Sequence, residues 1–146
     1  EGAVKGKKIE FKDLEEICRR LVYVHNNIQV IILSAPNNFK RVGEMIRKMK
    51  LNHVVNSFKT NTIMDIAALI DQMDLIITPD TSIAHIASAY NKPVVTIHEN
   101  NQDSYKLFAP TSNLNRTVFS KSKHSLNGFS LNELIVHCLE LIKLIK

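Results

Sequence analysis

Short apolar runs alternate with segments of helical periodicity along the chain, and this alternation most limits the possible fold. The apolar runs lie at 28–33, 53–56, 74–78, 93–97 and 116–119. They are apolar throughout most of their length rather than alternating in polarity, which is typical of parallel strands covered on both faces. We therefore predict an α/β fold of three layers, with helices on both sides of a mostly parallel sheet.

The intervening segments carry apolar residues at the i, i+3, i+4 and i+7 spacing of one helix face. They predict helices at 11–25, 39–49, 62–73, 82–90 and 130–145, and a polar loop at 98–115. Capping boxes mark two helix starts, one formed by Thr62 with Asp65 and one by Ser130 with Glu133. The 146 residues have the length of one domain, and we predict a single domain over 1–146.

Positive charge is concentrated near the start of the chain. The formal net charge is +5, and Lys5, Lys7, Lys8 and Lys12 lie close together. Such a bias favours anionic partners such as phosphates, nucleic acid or a membrane surface, although a solvated basic face has the same composition. Aromatic residues make up only 6% of the chain and tryptophan is absent, so stacking platforms for RNA are lacking and we predict no nucleic-acid partner.

Several functional classes lack their sequence signature. No apolar run approaches the roughly 20 residues of a membrane-spanning helix, and the first residues do not resemble a signal peptide. Cys18 and Cys138 fall in helical segments, which fits reduced thiols in a cytoplasmic protein. There is no glycine-rich phosphate loop and no metal-binding motif, and His98-Glu99 is assigned to a loop.

The segment that follows the run at 74–78 carries the clearest candidate site. Asp80, Thr81 and Ser82 lie between this strand and the helix at 82–90. Ligands bind beyond the carboxyl ends of parallel strands, and a helix start offers unpaired N–H groups to an anion. Asp80 would repel a phosphate but suits the hydroxyl groups of a sugar. The alternative is that Asp80 or Thr81 is simply the N-cap of the helix.

His85 is a second candidate in the same helix. It lies two residues after Ile83, which places it about 200° around the helix and off the apolar stripe that Ile83, Ile86 and Ala87 form. One turn from the helix start, it is positioned to reach a ligand bound there. The alternative is an ordinary surface histidine.

The segment MDLIITPDTSIAHIASAYNKPVVTIHE, residues 73–99, resembles the C-terminal half of glycosyltransferase family 9, the ADP-heptose:lipopolysaccharide heptosyltransferases. The matching positions are Asp80-Thr81-Ser82, His85, Ile86-Ala87 and Lys92-Pro93, and the resemblance extends over about residues 1–120. It implies the Rossmann-like C-terminal domain of a GT-B glycosyltransferase. Ser82 stands where the family often has glycine.

The resemblance also implies roles for individual residues. Asp80 would contact the donor sugar, and the diphosphate would be received by Thr81, Ser82, Ile83 and His85. A lysine after a Gly2-Ala3 turn would neutralise the phosphate charge. That lysine is Lys7, with Lys8 or Lys5 as alternatives. The family's catalytic base belongs to an N-terminal domain that we do not find here, so we predict no catalytic residue in this chain and no metal.

The activity that the resemblance implies is an inverting, metal-independent transfer of a heptose from ADP-heptose to the lipopolysaccharide core. It needs no cofactor beyond the nucleotide-sugar substrate. The acceptor would bind through the N-terminal domain, in the cytoplasm or at the cytoplasmic face of the inner membrane. Two alternatives stay open: another sugar-nucleotide transferase or epimerase on the same fold, and a Rossmann-like binding module without catalysis.

Overall fold

The computed structural model describes residues 7–145, so the predictions for Lys5 and the Gly2-Ala3 turn lie outside the described residues. In chain order the elements are α1 (Phe11–Val24), β1 (Val30–Ile32), α2 (Phe39–Met49), β2 (Val54–Asn56), α3 (Ile63–Asp71), β3 (Ile76–Pro79), α4 (Ser82–Ala89), β4 (Val94–His98), α5 (Gln102–Phe108), β5 (Asn115–Phe119) and α6 (Leu131–Ile145). Helices and strands alternate and every strand pair among these residues is parallel, which confirms the predicted α/β class.

The described residues form two compact units, 9–65 and 66–145, and the second includes Lys7 and Lys8.

The first unit is built around a pair of short strands. β1 and β2 pair in parallel, with Val30 opposite Val54. Its buried core contains Cys18, Ile32, Val42, Met49 and Val54. These residues come from both helices and both strands of the unit, because each element turns its apolar face toward the same cluster.

The second unit contains a three-stranded parallel sheet in the order β3-β4-β5. β4 is the central strand, and all five of its residues are buried. The register places Pro79 opposite Ile97 and His98 opposite Phe119, so the three strands end at nearly the same level. A helix follows each strand, and α4 and α6 both pack on β4. The carboxyl edge of this sheet is therefore where the loops that carry polar residues meet.

The segment after β4 differs from the prediction. Residues 98–115 were expected to form a polar loop, but His98 ends β4 and Gln102–Phe108 form α5. Asn101 begins this helix, and its Oδ1 accepts a hydrogen bond of 3.1 Å from the Ser104 N–H. The helix has only seven residues, none of which is fully buried. It therefore lacks the apolar stripe from which a longer helix is recognised.

Both predicted helix starts have the hydrogen bond from the third helical N–H to the capping hydroxyl. Thr62 Oγ1 accepts from the Asp65 N–H at 3.2 Å, and Asp65 Oδ2 accepts from the Thr62 N–H at 2.9 Å. Backbone N–H groups of Asn61 and Thr62 lower the pKa of the exposed Asp65 carboxyl by favouring its charged form. At the start of α6, Ser130 Oγ accepts from the Glu133 N–H at 3.2 Å.

The two cysteines are free, buried thiols, as the sequence predicted. Burial raises the pKa of Cys18 to about 11 and that of Cys138 to about 12, so neither is a nucleophile at neutral pH. Within residues 7–145, no helix combines the length and apolar character needed to cross a membrane.

Packing of α6 provides a test of the second unit. Leu134 is fully buried, whereas Val136 on the same helix is half exposed. Leu134→Ala should lower the free energy of unfolding by about 2–5 kcal/mol, because it leaves a cavity in the core. Val136→Ala, the matched control, should change it by about 0.5 kcal/mol or less. Urea unfolding of the two variants measures the difference, and equal effects would contradict this packing.

Candidate functional site

Asp80 lies between the end of β3 and the start of α4, at the carboxyl edge of the three-stranded sheet. Its backbone N–H donates to the Ile97 carbonyl at 3.1 Å, which continues the β3–β4 ladder one residue beyond the strand. The residue is buried, with 6% of its surface exposed. The sheet therefore holds the Asp80 backbone in place, and its carboxylate must find partners within the protein or in a ligand.

Thr81 is the N-cap of α4. Its backbone is extended, and its Oγ1 accepts a hydrogen bond of 3.3 Å from the Ile83 N–H. The same oxygen lies 3.2 Å from Thr78 Oγ1 on β3, which links the cap to the sheet. The sequence left the cap open between Asp80 and Thr81, and the structure assigns it to Thr81. The Asp80 carboxylate is thus available for another role. Ser82, the first residue of the helix, is exposed.

Lys7 and Asp80, two of the predicted site residues, are brought together from positions 73 residues apart. Lys7 Nζ donates to Asp80 Oδ2 at 2.5 Å, and both side chains are largely removed from solvent. A charged hydrogen bond of this kind is stronger than a neutral one, particularly where water is excluded. The pair supplies a cation and an anion side by side at the edge of the sheet. Lys8, the alternative to Lys7, is exposed.

His85 lies on the solvent side of α4, as its offset from the apolar stripe predicted. It is exposed, while Ala84 and Ala87 of the same helix are buried. Its ring meets that of Phe108 edge-on, with 6.3 Å between the ring centroids. A direct role of His85 in binding a diphosphate stays a prediction.

His98 is a polar residue of this edge that the sequence reasoning assigned to a loop. It is the last residue of β4 and is buried, and its Nε2 lies 3.6 Å from Asp80 Oδ1. Its ring packs edge-on against Tyr105 at 5.0 Å and lies 6.4 Å from the Phe119 ring. The available signal was its position, because a residue that directly follows an apolar run shares the sheet edge with Asp80.

The surroundings of His98 favour the neutral form of its imidazole. Burial is the largest effect and lowers its pKa, because the charged form loses hydration. The charge of Asp80 raises the pKa of His98, and the charge of Lys7 lowers it. His98 Nε2 has no hydrogen-bond partner among the described residues. Such an unpaired buried atom costs about 1–3 kcal/mol.

Among residues 7–145, no three histidine, cysteine or acidic side chains cluster as metal ligands do.

The Lys7–Asp80 pair predicts strong coupling between the two positions. Lys7→Met leaves the buried Asp80 carboxylate without its cation and should lower the free energy of unfolding by about 2–4 kcal/mol. The double variant Lys7→Met/Asp80→Asn removes both charges and should recover more than half of that loss. Chemical denaturation of the four members of this cycle measures the coupling. Additive effects would show that the pair does not stabilise the fold.

The lowered pKa of His98 predicts a specific dependence of stability on pH. Below about pH 6.5 the unfolded chain binds a proton at His98 that the folded chain does not, so stability is lost as the pH falls. Between about pH 7 and pH 5, the unaltered chain should lose more stability than His98→Phe, by at most about 1.4 kcal/mol per pH unit. Thermal and urea unfolding across this range measure the difference. A parallel pH dependence of the two proteins would contradict the prediction.

Known proteins resemble this chain in both sequence and structure. The family model for glycosyltransferase family 9 (heptosyltransferase) matches residues 12–131. Comparison with curated protein sequences gave no match. Similar solved structures include the E. coli heptosyltransferase WaaC with ADP, at 14% identity and a TM-score of 0.78 over 97% of this chain and 42% of that one.

Two further structures show the same fold. The E. coli ADP-heptose lps heptosyltransferase II is 18% identical, with a TM-score of 0.76 over 95% of this chain and 43% of its own. A family 9 glycosyl transferase from Veillonella parvula DSM 2008 is 13% identical, with a TM-score of 0.78 over 98% of this chain and 44% of its own. The chain thus has a GT-B heptosyltransferase fold over less than half the length of these structures. Because the family model spans most of its residues, the chain belongs to glycosyltransferase family 9 (heptosyltransferase).

Proposed function

We propose that this chain is the donor-binding domain of a glycosyltransferase that moves a heptose from ADP-heptose to the lipopolysaccharide core. The observation that carries the proposal is the buried Lys7–Asp80 pair beside the capped start of α4. It offers an acceptor for sugar hydroxyls and donors for a diphosphate within one sheet edge, in a chain that belongs to a family of heptosyltransferases.

Asp80 binds the donor sugar in this proposal. A carboxylate is an acceptor-only group, so it suits hydroxyl donors and repels phosphate oxygens. Hydrogen bonds to charged groups are worth about 1.5–3 kcal/mol, which is enough to decide how a sugar ring is oriented. The Asp80 backbone is held by the β3–β4 ladder, so its carboxylate is presented from a rigid element.

The diphosphate binds next to it, at the start of α4. The backbone at Thr81, Ser82 and Ile83 lies at the positive end of the helix dipole, and the Ile83 N–H also donates to the Thr81 cap. The diphosphate is therefore received chiefly by the Thr81 and Ser82 N–H groups, with Ile83 as a shared donor. Lys7 has three N–H donors and uses one on Asp80, so the others can face a phosphate oxygen. Lys8 and His85 contribute from exposed positions. Together these groups neutralise the charge that develops on the departing nucleoside diphosphate.

The remaining elements of the reaction come from outside this chain. The general base that activates the acceptor hydroxyl, and the acceptor site, are supplied by an N-terminal domain, and the sugar inverts because the base and the leaving group act on opposite faces. No metal or cofactor takes part, since Lys7 and the helix start supply the positive charge. The enzyme acts in the cytoplasm, where its net positive charge favours peripheral contact with the inner membrane, and it takes no nucleic-acid partner.

The Lys7–Asp80 pair and the start of α4 suit a sugar and a diphosphate, which ADP-sugars and UDP-sugars share. A transferase or epimerase that uses another sugar nucleotide is therefore the second candidate, and a binding module without catalysis is the third. Competition between ADP-heptose and a panel of UDP-sugars separates the first two. Sugar transfer by the full-length protein separates both from the third.

Asp80→Asn should affect ADP-heptose and ADP in different ways. Loss of the carboxylate should weaken ADP-heptose binding by about tenfold to hundredfold, because the sugar loses a charged acceptor. ADP lacks the sugar, and removal of a negative charge near its diphosphate should leave its affinity unchanged or increase it. Lys7→Met should weaken both ligands by about tenfold, and more strongly at low salt. Isothermal titration calorimetry measures all of these affinities.

A matched control is available for the change of charge at Lys7. Lys143 is exposed in the last turn of α6, which runs back from the carboxyl edge of the sheet, and Lys143→Met makes the same substitution there. Its affinities should equal those of the unaltered chain. Saturable ADP-heptose binding that is insensitive to both Asp80→Asn and Lys7→Met would refute the site, and absence of binding to the folded chain would refute the function.

A further inference from the structure

His98 is a buried polar residue to which the proposed function assigns no part. It is the last residue of β4, at the carboxyl edge of the sheet, and only 1% of its surface is exposed. Its Nε2 nevertheless has no hydrogen-bond partner among residues 7–145. Buried polar atoms are almost always hydrogen-bonded in folded proteins, so an unpaired nitrogen that faces a carboxylate requires an explanation.

The geometry around Asp80 indicates which bond is missing. Asp80 Oδ2 is bonded to Lys7, whereas Oδ1 faces His98 Nε2 at 3.6 Å. This separation exceeds an ordinary N–H···O bond by about 0.7 Å. Tyr105 and Phe119 pack against the imidazole from α5 and β5 and hold its ring in place. A small rotation of the Asp80 carboxylate is therefore the movement that would complete the bond.

Donor binding creates a need for such a bond. The diphosphate attracts Lys7 Nζ, which at present neutralises Asp80, and the sugar needs one carboxylate oxygen free to accept its hydroxyl. Asp80 is almost fully buried, so a carboxylate that loses part of its cation must gain another donor. The Nε2 of His98 lies beside Oδ1 and is in position to be that donor.

We propose that His98 is a positioning residue for Asp80. In the donor-bound state its Nε2–H donates to Asp80 Oδ1 and holds the carboxylate with Oδ2 toward the sugar. It acts through Asp80 and makes no contact with the donor itself. This inference rests on the proposed function, since it assigns a partner to the residue that binds the sugar.

The surroundings of His98 favour a neutral imidazole as the hydrogen-bond donor. Burial, Lys7 and His85 lower its pKa, while Asp80 and Glu99 raise it, and burial is the largest of these effects. A neutral imidazole carries one N–H, and the unpaired position of Nε2 beside a carboxylate favours the tautomer that is protonated there. Such a group satisfies Asp80 without adding a charge that would compete with Lys7 for the diphosphate.

Two substitutions of His98 separate hydrogen bonding from packing. His98→Phe keeps a ring between Tyr105 and Phe119 but removes the N–H group that donates the hydrogen bond. His98→Gln restores an N–H near the same place without a group that titrates. His98→Phe should weaken ADP-heptose binding by about tenfold and ADP binding by less than about twofold, because only the sugar contact depends on Asp80. His98→Gln should recover ADP-heptose affinity to within about threefold of the unaltered chain.

Tyr105→Phe is the matched control, because it keeps the neighbouring ring and removes only the hydroxyl that lies 3.2 Å from Thr117 Oγ1. It should leave both affinities unchanged. Calorimetry measures binding, and circular dichroism with thermal unfolding confirms that each variant is folded. Unchanged ADP-heptose affinity in folded His98→Phe would overturn the proposal. Equal losses of affinity for ADP and ADP-heptose in His98→Phe would also overturn the proposal, because they would indicate a general structural effect of the substitution.

The tautomer of His98 provides a test that needs no bound nucleotide sugar. Two-dimensional ¹H–¹⁵N NMR of the imidazole in the full chain should show the Nε2–H tautomer at neutral pH, and Asp80→Asn should lower the pKa of His98 further. The Nδ1–H tautomer would overturn the proposal, because Nε2 would then have no proton to donate. If the unaltered chain binds neither ADP-heptose nor ADP, the proposed function and the role of His98 toward the donor fail together. The NMR result still decides whether His98 is paired with Asp80.

Discussion

The parallel pairing of β4 with β3 on one side and β5 on the other is the constraint on which the candidate site depends. β4 is buried along its whole length, and its register aligns the ends of all three strands. The bond from the Asp80 N–H to the Ile97 carbonyl extends that register into the loop. The positions of Asp80 and His98 relative to each other therefore follow from backbone pairing.

Burial of a carboxylate at this edge has an energetic consequence. Asp80 is removed from water, so it needs the cation of Lys7, and the two groups would each be costly to bury alone. The same arrangement leaves His98 Nε2 without a hydrogen-bond partner in the part of the chain that the structure describes. A ligand that drew Lys7 away would change which partner the carboxylate needs. Polar networks of this kind are sensitive to the loss of any one member.

Much of the fold was accessible from sequence periodicity, and the exceptions have physical reasons. α2 was predicted at 39–49 and is observed at Phe39–Met49, because its apolar face and its flanking turn are both distinct. α5 was missed, because a short helix with no buried residue has no stripe to recognise. His98 was assigned to a loop for a different reason, since the apolar run at 93–97 ends one residue before it.

The sequence by itself determined the α/β class, the position of Asp80 between a strand and a helix, and the family motif around it, because these depend on local periodicity and on residues adjacent in the chain. Only the tertiary structure decided that Lys7 contacts Asp80, that Thr81 is the helix cap, and that His98 faces the carboxylate. The physical reason is that ion pairs and strand register join residues far apart in the chain, and their partners are selected by burial and geometry that local patterns do not contain.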